Sequence, residues 1–275
     1  MRALFVVSIF MSSMLLTQCT KTEKLCDCMP PPAAGYKLTY GDSVFYLKNN
    51  DYTVSPLAKG AGTYTVFPDN LQFDKTTGAI TVTQKGTDGE SQTGMWYKIK
   101  FKSSDGTQAD STLVLISGLT YVDKFYSLSQ NDSIIYPIYN GDPSKVVPQG
   151  NYDLTADAKF AINAVNGQIN IKECLRWGFF NSGVMGTGWK VATVKYTIND
   201  NSQQAANKID IVLYYYRTIS EVPSNVSALM QAHQQMTLGL RSLPTIPSTN
   251  GAIETNLPSD LSLSKPRPPC VIIVD

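Results

Sequence analysis

The side chains that most often carry enzyme chemistry are few and scattered in this 275-residue sequence. Its one histidine, His233, falls within an apolar helical stripe, which is typical of packing, and one histidine excludes a multi-histidine metal site. Glu90, Glu173 and Glu221 are isolated, whereas a glycosidase brings two carboxylates together. No glycine-rich loop opens a helical pattern, so nucleotide binding has no support. We therefore expect a protein that is not an enzyme and uses no cofactor or metal.

One cysteine has a spacing with a chemical meaning. Arg2 is followed by a mostly apolar run too short to span a bilayer, and then by Leu16-Thr17-Gln18-Cys19. This pattern resembles the lipobox of bacterial lipoproteins. The resemblance implies cleavage before Cys19, a diacylglycerol on its sulfur and an acyl group, such as palmitate, on its amine. An ordinary secretion signal with a chance cysteine is the alternative. Thr20 stands where inner-membrane retention signals have an aspartate, which favours the outer membrane.

The remaining cysteines are Cys26, Cys28, Cys174 and Cys270. Four thiols allow three pairings, and the sequence does not choose among them. The one-residue spacer of Cys26-Asp27-Cys28 differs from the two-residue spacer of zinc and thioredoxin motifs, so we favour a disulfide in the tether or free thiols over a metal site. Pro30 to Pro32 then predict a stiff stalk.

Composition is that of an exported globular protein. The chain has a formal net charge of +1, 16% charged residues and 43% hydrophobic residues. This balance gives no electrostatic sign of nucleic-acid binding, because phosphate recognition needs an excess of basic side chains. We therefore expect no nucleic-acid partner, and we expect the lipid to provide the contact with the membrane.

One sequence pattern occurs twice, about 90 residues apart. Residues 71–82 and 160–171 each contain an apolar-x-apolar segment, a polar turn and Thr/Asn-Gly-x-Ile. The glycines, Gly78 and Gly167, indicate tight hairpin turns, because glycine supplies a positive φ without steric cost. A period this long exceeds that of solenoid repeats and favours two tandem domains.

Two further matches extend the repeat. Asp105 matches Asp200 in a later turn, and residues 43–47 match residues 133–137. Strict alternation of apolar and polar residues, clearest over residues 95–102, predicts strands with one buried face. Closely spaced turns between short strands favour β-sandwiches.

The turn element, with Asp74 and Thr77-Gly78-Ala79-Ile80, resembles the immunoglobulin-like and cadherin-like repeats of bacterial surface proteins. Together with the lipobox, the chain resembles surface lipoproteins of the Bacteroidota. The resemblance implies an all-β fold of two tandem immunoglobulin-like β-sandwiches. Cadherin calcium sites need clustered acids, but Asp123, Asp132 and Asp142 form no Asp-x-Asp motif, so no calcium is expected.

Three tryptophans are candidates for ligand binding. Trp96 alternates with Tyr97, Ile99 and Phe101, so we expect it to be exposed, or covered only by the second domain or the C-terminal tail. Its replacement by alanine should then cost about 1 kcal/mol or less. Trp177 and Trp189 bound a glycine-rich stretch, and exposed indoles stack on sugar rings. Core or interface packing is the alternative for each, and we favour it over a glycan platform.

The C-terminal region differs from the repeats. Ser224 is expected to cap a helix to about Ser242, with an apolar stripe packed on domain two or a partner. Residues 245–269 have the composition of a linker. The β-branched run within residues 270–275 predicts a strand that needs the edge of a sheet, either a sheet of its own chain or, as the less favoured alternative, a partner's.

The sequence thus predicts an all-β, membrane-anchored, non-catalytic surface lipoprotein that is a structural or adhesive spacer, or an accessory component of a surface complex. The alternative is a glycan-binding lipoprotein of a polysaccharide-uptake system. Its partners would be the membrane and a surface protein or glycan. The expected segments are a signal peptide at 1–18, a tether at 19–35, domains at 36–123 and 124–220, and a C-terminal helix, linker and strand at 221–275.

Overall fold

A computed structural model describes residues 35–154, 159–180, 188–239 and 270–274. The signal peptide, Cys19 and the tether cysteines lie outside the described residues, as does the whole predicted linker, 245–269. Within the described residues, we call 36–118 the first half and 119–274 the second half. No helix in these segments is long and apolar enough to span a membrane.

Most described elements are strands, with two short helices and one 3-10 turn (Ile219–Glu221). The strands of the first half are β1 (Val44–Phe45), β2 (Tyr52–Val54), β3 (Gly62–Phe67), β4 (Ile80–Val82), β5 (Met95–Ser103) and β6 (Ala109–Ile116). Those of the second half are β7 (Leu119–Tyr121), β8 (Lys124–Ser127), β9 (Ile134–Ile135), β10 (Pro137–Tyr139), β11 (Gly150–Asn151), β12 (Ile169–Asn170), β13 (Gly188–Ile198), β14 (Asn207–Tyr216) and β15 (Cys270–Val274). The helices are α1 (Ile171–Arg176) and α2 (Ser224–Gly239).

The first half is a sandwich of a four-stranded sheet, in the order β1-β6-β5-β3, and the antiparallel pair β2-β4. Alternation along β5 points Tyr97, Ile99 and Phe101 into the core, where they are 0%, 0% and 2% exposed. Ile80 and Val82 of β4 pack into the same core from the other layer. Burying one such side chain stabilises the fold by about 1.5–3 kcal/mol. The predicted alternation of β5, with these three residues facing the core, is confirmed.

The second half repeats this plan with a five-stranded sheet, in the order β11-β13-β14-β15-β8, and the pair β12-β9. Val194 of β13, Ile211 of β14 and Ile169 of β12 belong to one core. The all-β fold with a C-terminal helix and a terminal strand is therefore confirmed. The division into domains at residue 123 stays a prediction, although each half has its own core cluster.

The two glycine turns have the same structure. Gly78 has φ +72° and its N–H donates to Asp74 O at 2.8 Å, while Gly167 has φ +71° and its N–H donates to Asn163 O at 2.9 Å. A Cβ on either glycine would lie within 3 Å of a core tyrosine ring, namely Tyr64 or Tyr152. At both positions glycine is therefore required for two reasons: the backbone has a positive φ, and a side chain would have no space.

One sequence match of the repeat is wrong. Ile135 of β9 pairs with Ile169, whereas the residue that pairs with the equivalent Ile80 is Val54 of β2. Residues 134–135 therefore correspond to β2 and not to Val44–Phe45. The error arose because short apolar pairs look alike in sequence, whereas the strands with which they pair distinguish them.

Helix α1 was not expected, because residues 169–171 were matched to a strand. The strand ends at Asn170, whose Oδ1 accepts a hydrogen bond from Glu173 N at 3.2 Å and so caps the helix. An asparagine three residues before a glutamate is an N-cap signal that the sequence contained. The predicted C-terminal helix is present from Ser224, and its Val226 and Met230 pack on Ile272 of β15.

Candidate functional site

The most exposed of the three candidate tryptophans lies on the outer face of the five-stranded sheet. Trp189 is 66% exposed and its Cα partner across the β13–β14 pair is Tyr214. Val191, two residues further on the same face, is 43% exposed. We call Trp189, Val191 and Tyr214 the aromatic face. Ala192 and Val194, on the opposite side of β13, are buried in the core, so alternation fixes the outward position of Trp189.

The aromatic face has a packed border and a polar border. Tyr214 stacks on Tyr216 with a centroid distance of 6.5 Å and packs against the cluster formed by α2 and β15. Along the strands in the other direction, Thr193 donates to the carboxylate of Asp210. Asp210 is four residues from Tyr214 along β14, so the feature of the aromatic face that suits a sugar ring is the exposed indole of Trp189 alone.

Trp177 lies at the C-terminal end of α1 and is 43% exposed. The segment after it turns inward, where the Phe180 ring packs on Tyr215 at 5.7 Å between centroids. Lys190 Nζ donates to Phe179 O at 2.7 Å and ties this segment to β13. Residues 181–187, the middle of the predicted glycine-rich loop, lie outside the described residues. Within the described part of the chain no ring contact joins Trp177 to Trp189.

Trp96 has a different environment from the one a ligand platform needs. It is half-buried, its Cα partner Leu115 is 0% exposed, and a Cβ on Gly141 would lie 3.3 Å from Trp96 Cδ1. The fully exposed position is therefore wrong, and the alternative expectation, cover by the second half, is the one observed. Trp96 Nε1 is buried and has no hydrogen-bond partner among the described residues. Trp96 is a residue of the junction between the halves.

A buried polar network forms this junction. Asn140 and Gly141, with φ +57° and +61°, make a turn at the end of β10 that places Asn140 Oδ1 2.9 Å from Ser117 Oγ and 3.0 Å from Gly118 N. Asp200 Oδ2 accepts from Tyr139 Oη at 2.9 Å and lies 3.1 Å from Ser117 Oγ. The Tyr139 hydroxyl is protonated at neutral pH, and burial raises its pKa further above its ordinary value.

A second part of the network lies between the segment just before β5 and the β13–β14 pair. Asn207 Nδ2 donates to Thr93 Oγ1 at 2.9 Å and to Tyr196 Oη at 2.7 Å. The Leu119 N–H in turn donates to Tyr196 Oη at 2.9 Å. Asn207 is 5% exposed and Thr93 2%, and buried hydrogen bonds of this kind are costly to break because a partner is left unsatisfied.

The sequence signals for the junction were available in part. Asn-Gly at 140–141 is a strong type I′ turn signal, and Asp200 was matched to Asp105 as a turn residue. In the first half Asp105 Oδ1 accepts from Thr107 N at 3.0 Å, and in the second half Asp200 Oδ1 accepts from Ser202 N at 2.8 Å. The sequence did not indicate that the second turn, unlike the first, meets another part of the chain.

The three glutamates named for possible acid–base chemistry lie in separate environments. Glu90 is partly buried, and burial raises its pKa, with the Asp210 carboxylate raising it further. Glu173 pairs with Arg176, and Glu221 Oε2 accepts from Arg217 N at 3.1 Å. Among the described residues no group of three or more His, Cys, Asp or Glu side chains is placed to hold a metal ion.

Comparison with known families gave no matching family model, and no curated protein matches. Among the solved structures with low similarity to the chain are three sets of extracellular or capsid domains. Extracellular domains 3–5 of Drosophila OTK are 15% identical over 66% of this chain and 62% of that one, with a TM-score of 0.21. EC1–3 of mouse clustered PcdhgC3 is 10% identical over 64% and 66%, with a TM-score of 0.19.

The third is the three N-terminal domains of the bacteriophage RB49 highly immunogenic outer capsid protein, 13% identical over 61% and 65%, with a TM-score of 0.20. The chain spans slightly less than two thirds of each of these structures. TM-scores this low carry no argument about fold or function, so the architecture above rests on the strand pairing and the cores of this chain alone.

Proposed function

We propose that this protein is a non-catalytic lipoprotein of a bacterial surface, anchored through Cys19, that acts as a structural or adhesive spacer or as an accessory component of a surface complex. The observation that carries the spacer role is the junction, in which Asn140, Asp200 and Asn207 join the two halves through buried hydrogen bonds. A junction of buried polar contacts resists bending, because bending exposes or separates groups that have no alternative partner.

The anchor rests on the sequence before residue 20. Two or three acyl chains hold a protein on a membrane durably, since each buried methylene contributes about 0.8 kcal/mol. Replacing Cys19 with alanine should move the protein from the membrane to the soluble fraction. Cys26→Ala is the matched control, because it removes a nearby thiol and keeps the Leu16-Thr17-Gln18-Cys19 pattern. A Cys19→Ala variant that still fractionates with the membrane contradicts the lipid anchor.

The second candidate function is glycan binding, and the aromatic face favours it. Trp189 is 66% exposed and is the cross-strand partner of Tyr214, whereas Trp96 no longer supports this function. A glycan and peptide array probed with the full chain carrying Cys19→Ala tests both classes of ligand. Under this alternative Trp189→Ala loses a glycan signal that Trp177→Ala keeps. A peptide signal alone supports an adhesive role towards a surface protein instead.

A further inference from the structure

The last strand of the chain occupies an interior position in its sheet. β15 lies between β14 and β8 and runs parallel to both, with Val271 beside Leu213 on one side and Lys124 on the other. Val271, Ile272 and Ile273 are each 0% exposed. The prediction that this strand adds to a sheet of its own chain is confirmed, but the strand lies in the middle of that sheet and not at an edge.

The first half shows what the same sheet looks like without an inserted strand. There β1 pairs directly with β6, with Phe45 beside Ile116. The Tyr97–Val114 pair of the first half corresponds to the Ala192–Ile211 pair of the second half. Val114 of β6 is therefore equivalent to Ile211 of β14. Two residues further along these strands, Ile116 is equivalent to Leu213. Since Leu213 pairs with Val271, β15 occupies the position that β1 occupies in the first half.

The second half nevertheless has its own counterpart of β1. Tyr40 donates to Gly78 O at 2.6 Å, and Tyr121 donates to Gly167 O at 2.9 Å, so these tyrosines are equivalent. Five residues after each tyrosine comes a buried aromatic residue, Phe45 of β1 or Tyr126 of β8. β8 therefore corresponds to β1 and lies one strand further out, with β15 between it and β14.

The chain connection does not tie β15 closely to its own sheet. Thirty residues, 240–269, separate the end of α2 from the start of β15, and a segment of that length spans up to about 100 Å when extended. Both neighbours of β15 are parallel to it, so no hairpin turn links the strand to either of them. The backbone partners and the apolar contacts of β15 are the same whichever copy of the chain supplies the strand.

We propose that the space between β14 and β8 is a strand-acceptor site and that the C-terminal strand of a second copy of this chain occupies it in an assembled form. Exchange conserves the strand pairing and the contacts of Ile272 with Val226 and Met230 of α2. The balance between the closed and exchanged forms is then set by protein concentration and the linker. This proposal is independent of the lipid anchor.

Engineered cysteines at Ser127 and Val274, which are Cα partners in the β8–β15 pair, test the exchange. The background is the full chain with Cys19→Ala, Cys26→Ser, Cys28→Ser and Cys270→Ser; the buried Cys174 is kept. Differently tagged Ser127→Cys and Val274→Cys chains are mixed, unfolded and refolded together at high concentration in a thiol–disulfide buffer. We expect a disulfide that joins the two tags and becomes more abundant with concentration.

Two controls give every outcome a meaning. The Ser111→Cys chain, with its exposed cysteine in β6, replaces the acceptor and should form no link with Val274→Cys above background. A chain carrying both Ser127→Cys and Val274→Cys should close within itself when dilute. If that chain closes while the mixed chains link no better than the Ser111→Cys control, strand exchange is overturned. If it does not close, β15 does not lie beside β8 and the acceptor site is overturned as well.

Discussion

The hydroxyl oxygen of Ser117 lies 3.1 Å from Oδ2 of Asp200, a residue 83 positions further along the chain. Ser117 follows the last strand of the first half, and Asp200 is in the turn between β13 and β14 of the second half. The same carboxylate oxygen accepts the hydroxyl of Tyr139. Among the described residues, the Asp105 carboxylate of the first half accepts hydrogen bonds only within its own turn, whereas the equivalent Asp200 carboxylate of the second half also joins the two halves.

The first prediction concerns the repeated glycine turns. Gly78→Ala should destabilise the protein by about 3 kcal/mol, because the methyl group meets both a positive φ and the ring of Tyr64 at 2.8 Å. Gly167→Ala should behave alike against Tyr152. Gly106→Ala is the matched control, with the same φ of +72° and no atom within 4 Å, and should cost about 1–2 kcal/mol. Urea unfolding measures all three, and equal losses would contradict the steric requirement.

The second prediction revises the cost of removing Trp96. Because the indole is half-buried against Gly141, Trp96→Ala should cost about 2 kcal/mol, below the 3–5 kcal/mol typical of a fully buried aromatic residue. Trp189→Ala, at a position 66% exposed, should cost about 1 kcal/mol or less. Denaturant midpoints of the two variants measure the difference. Similar losses for both tryptophans would show that Trp96 is not a junction residue.

Much of the repeat was predictable because it is local. The glycine turns, the alternation of β5 and the helix from Ser224 each depend on residues close together in sequence. The junction was not predictable, because Ser117, Asn140 and Asp200 become neighbours only after both halves have folded. The same reason explains Trp96, whose strand pattern fixed its direction but not what would cover it. The interior position of β15 depends on partners far away in the sequence.

The third prediction is a pH dependence at the first glycine turn. The backbone N–H groups of Thr76 and Thr77 donate to Asp74 Oδ1 at 2.7 and 3.1 Å and lower the pKa of that carboxyl. A lowered pKa in the folded state gives stability that is present above the ordinary pKa of about 3.9 and is lost as pH falls through the folded value. The free energy of unfolding of Asp74→Asn should therefore fall less between pH 5 and pH 2 than that of the native protein. The difference between the two is the part of the loss that comes from protonating Asp74.

Asn163 provides the matched control for this prediction. Its Oδ1 accepts the same two bonds in the second turn, from Val165 N at 2.9 Å and Asn166 N at 3.2 Å, without a titratable group. Asn163→Asp should steepen the loss of stability in acid. Urea midpoints measured across that pH range decide the matter, and unchanged acid sensitivity in both variants would contradict the assigned cause of the Asp74 shift.

The fourth prediction compares the two equivalent turn aspartates. Asp200→Ala should cost about 2–4 kcal/mol, because it removes the turn acceptor of Ser202 N and leaves the hydroxyls of Ser117 and Tyr139 without their carboxylate. Asp105→Ala removes the corresponding turn contact at an exposed position and should cost about 1 kcal/mol or less.

The most direct test of a joined pair of repeats is the calorimetric unfolding of the full chain carrying Cys19→Ala, with and without Asp200→Ala. If the junction holds the halves together, the native sequence unfolds in one cooperative transition, and Asp200→Ala separates it into two. Asp105→Ala keeps a single transition at a slightly lower temperature. Two transitions in the native sequence, unchanged by Asp200→Ala, would contradict the spacer account.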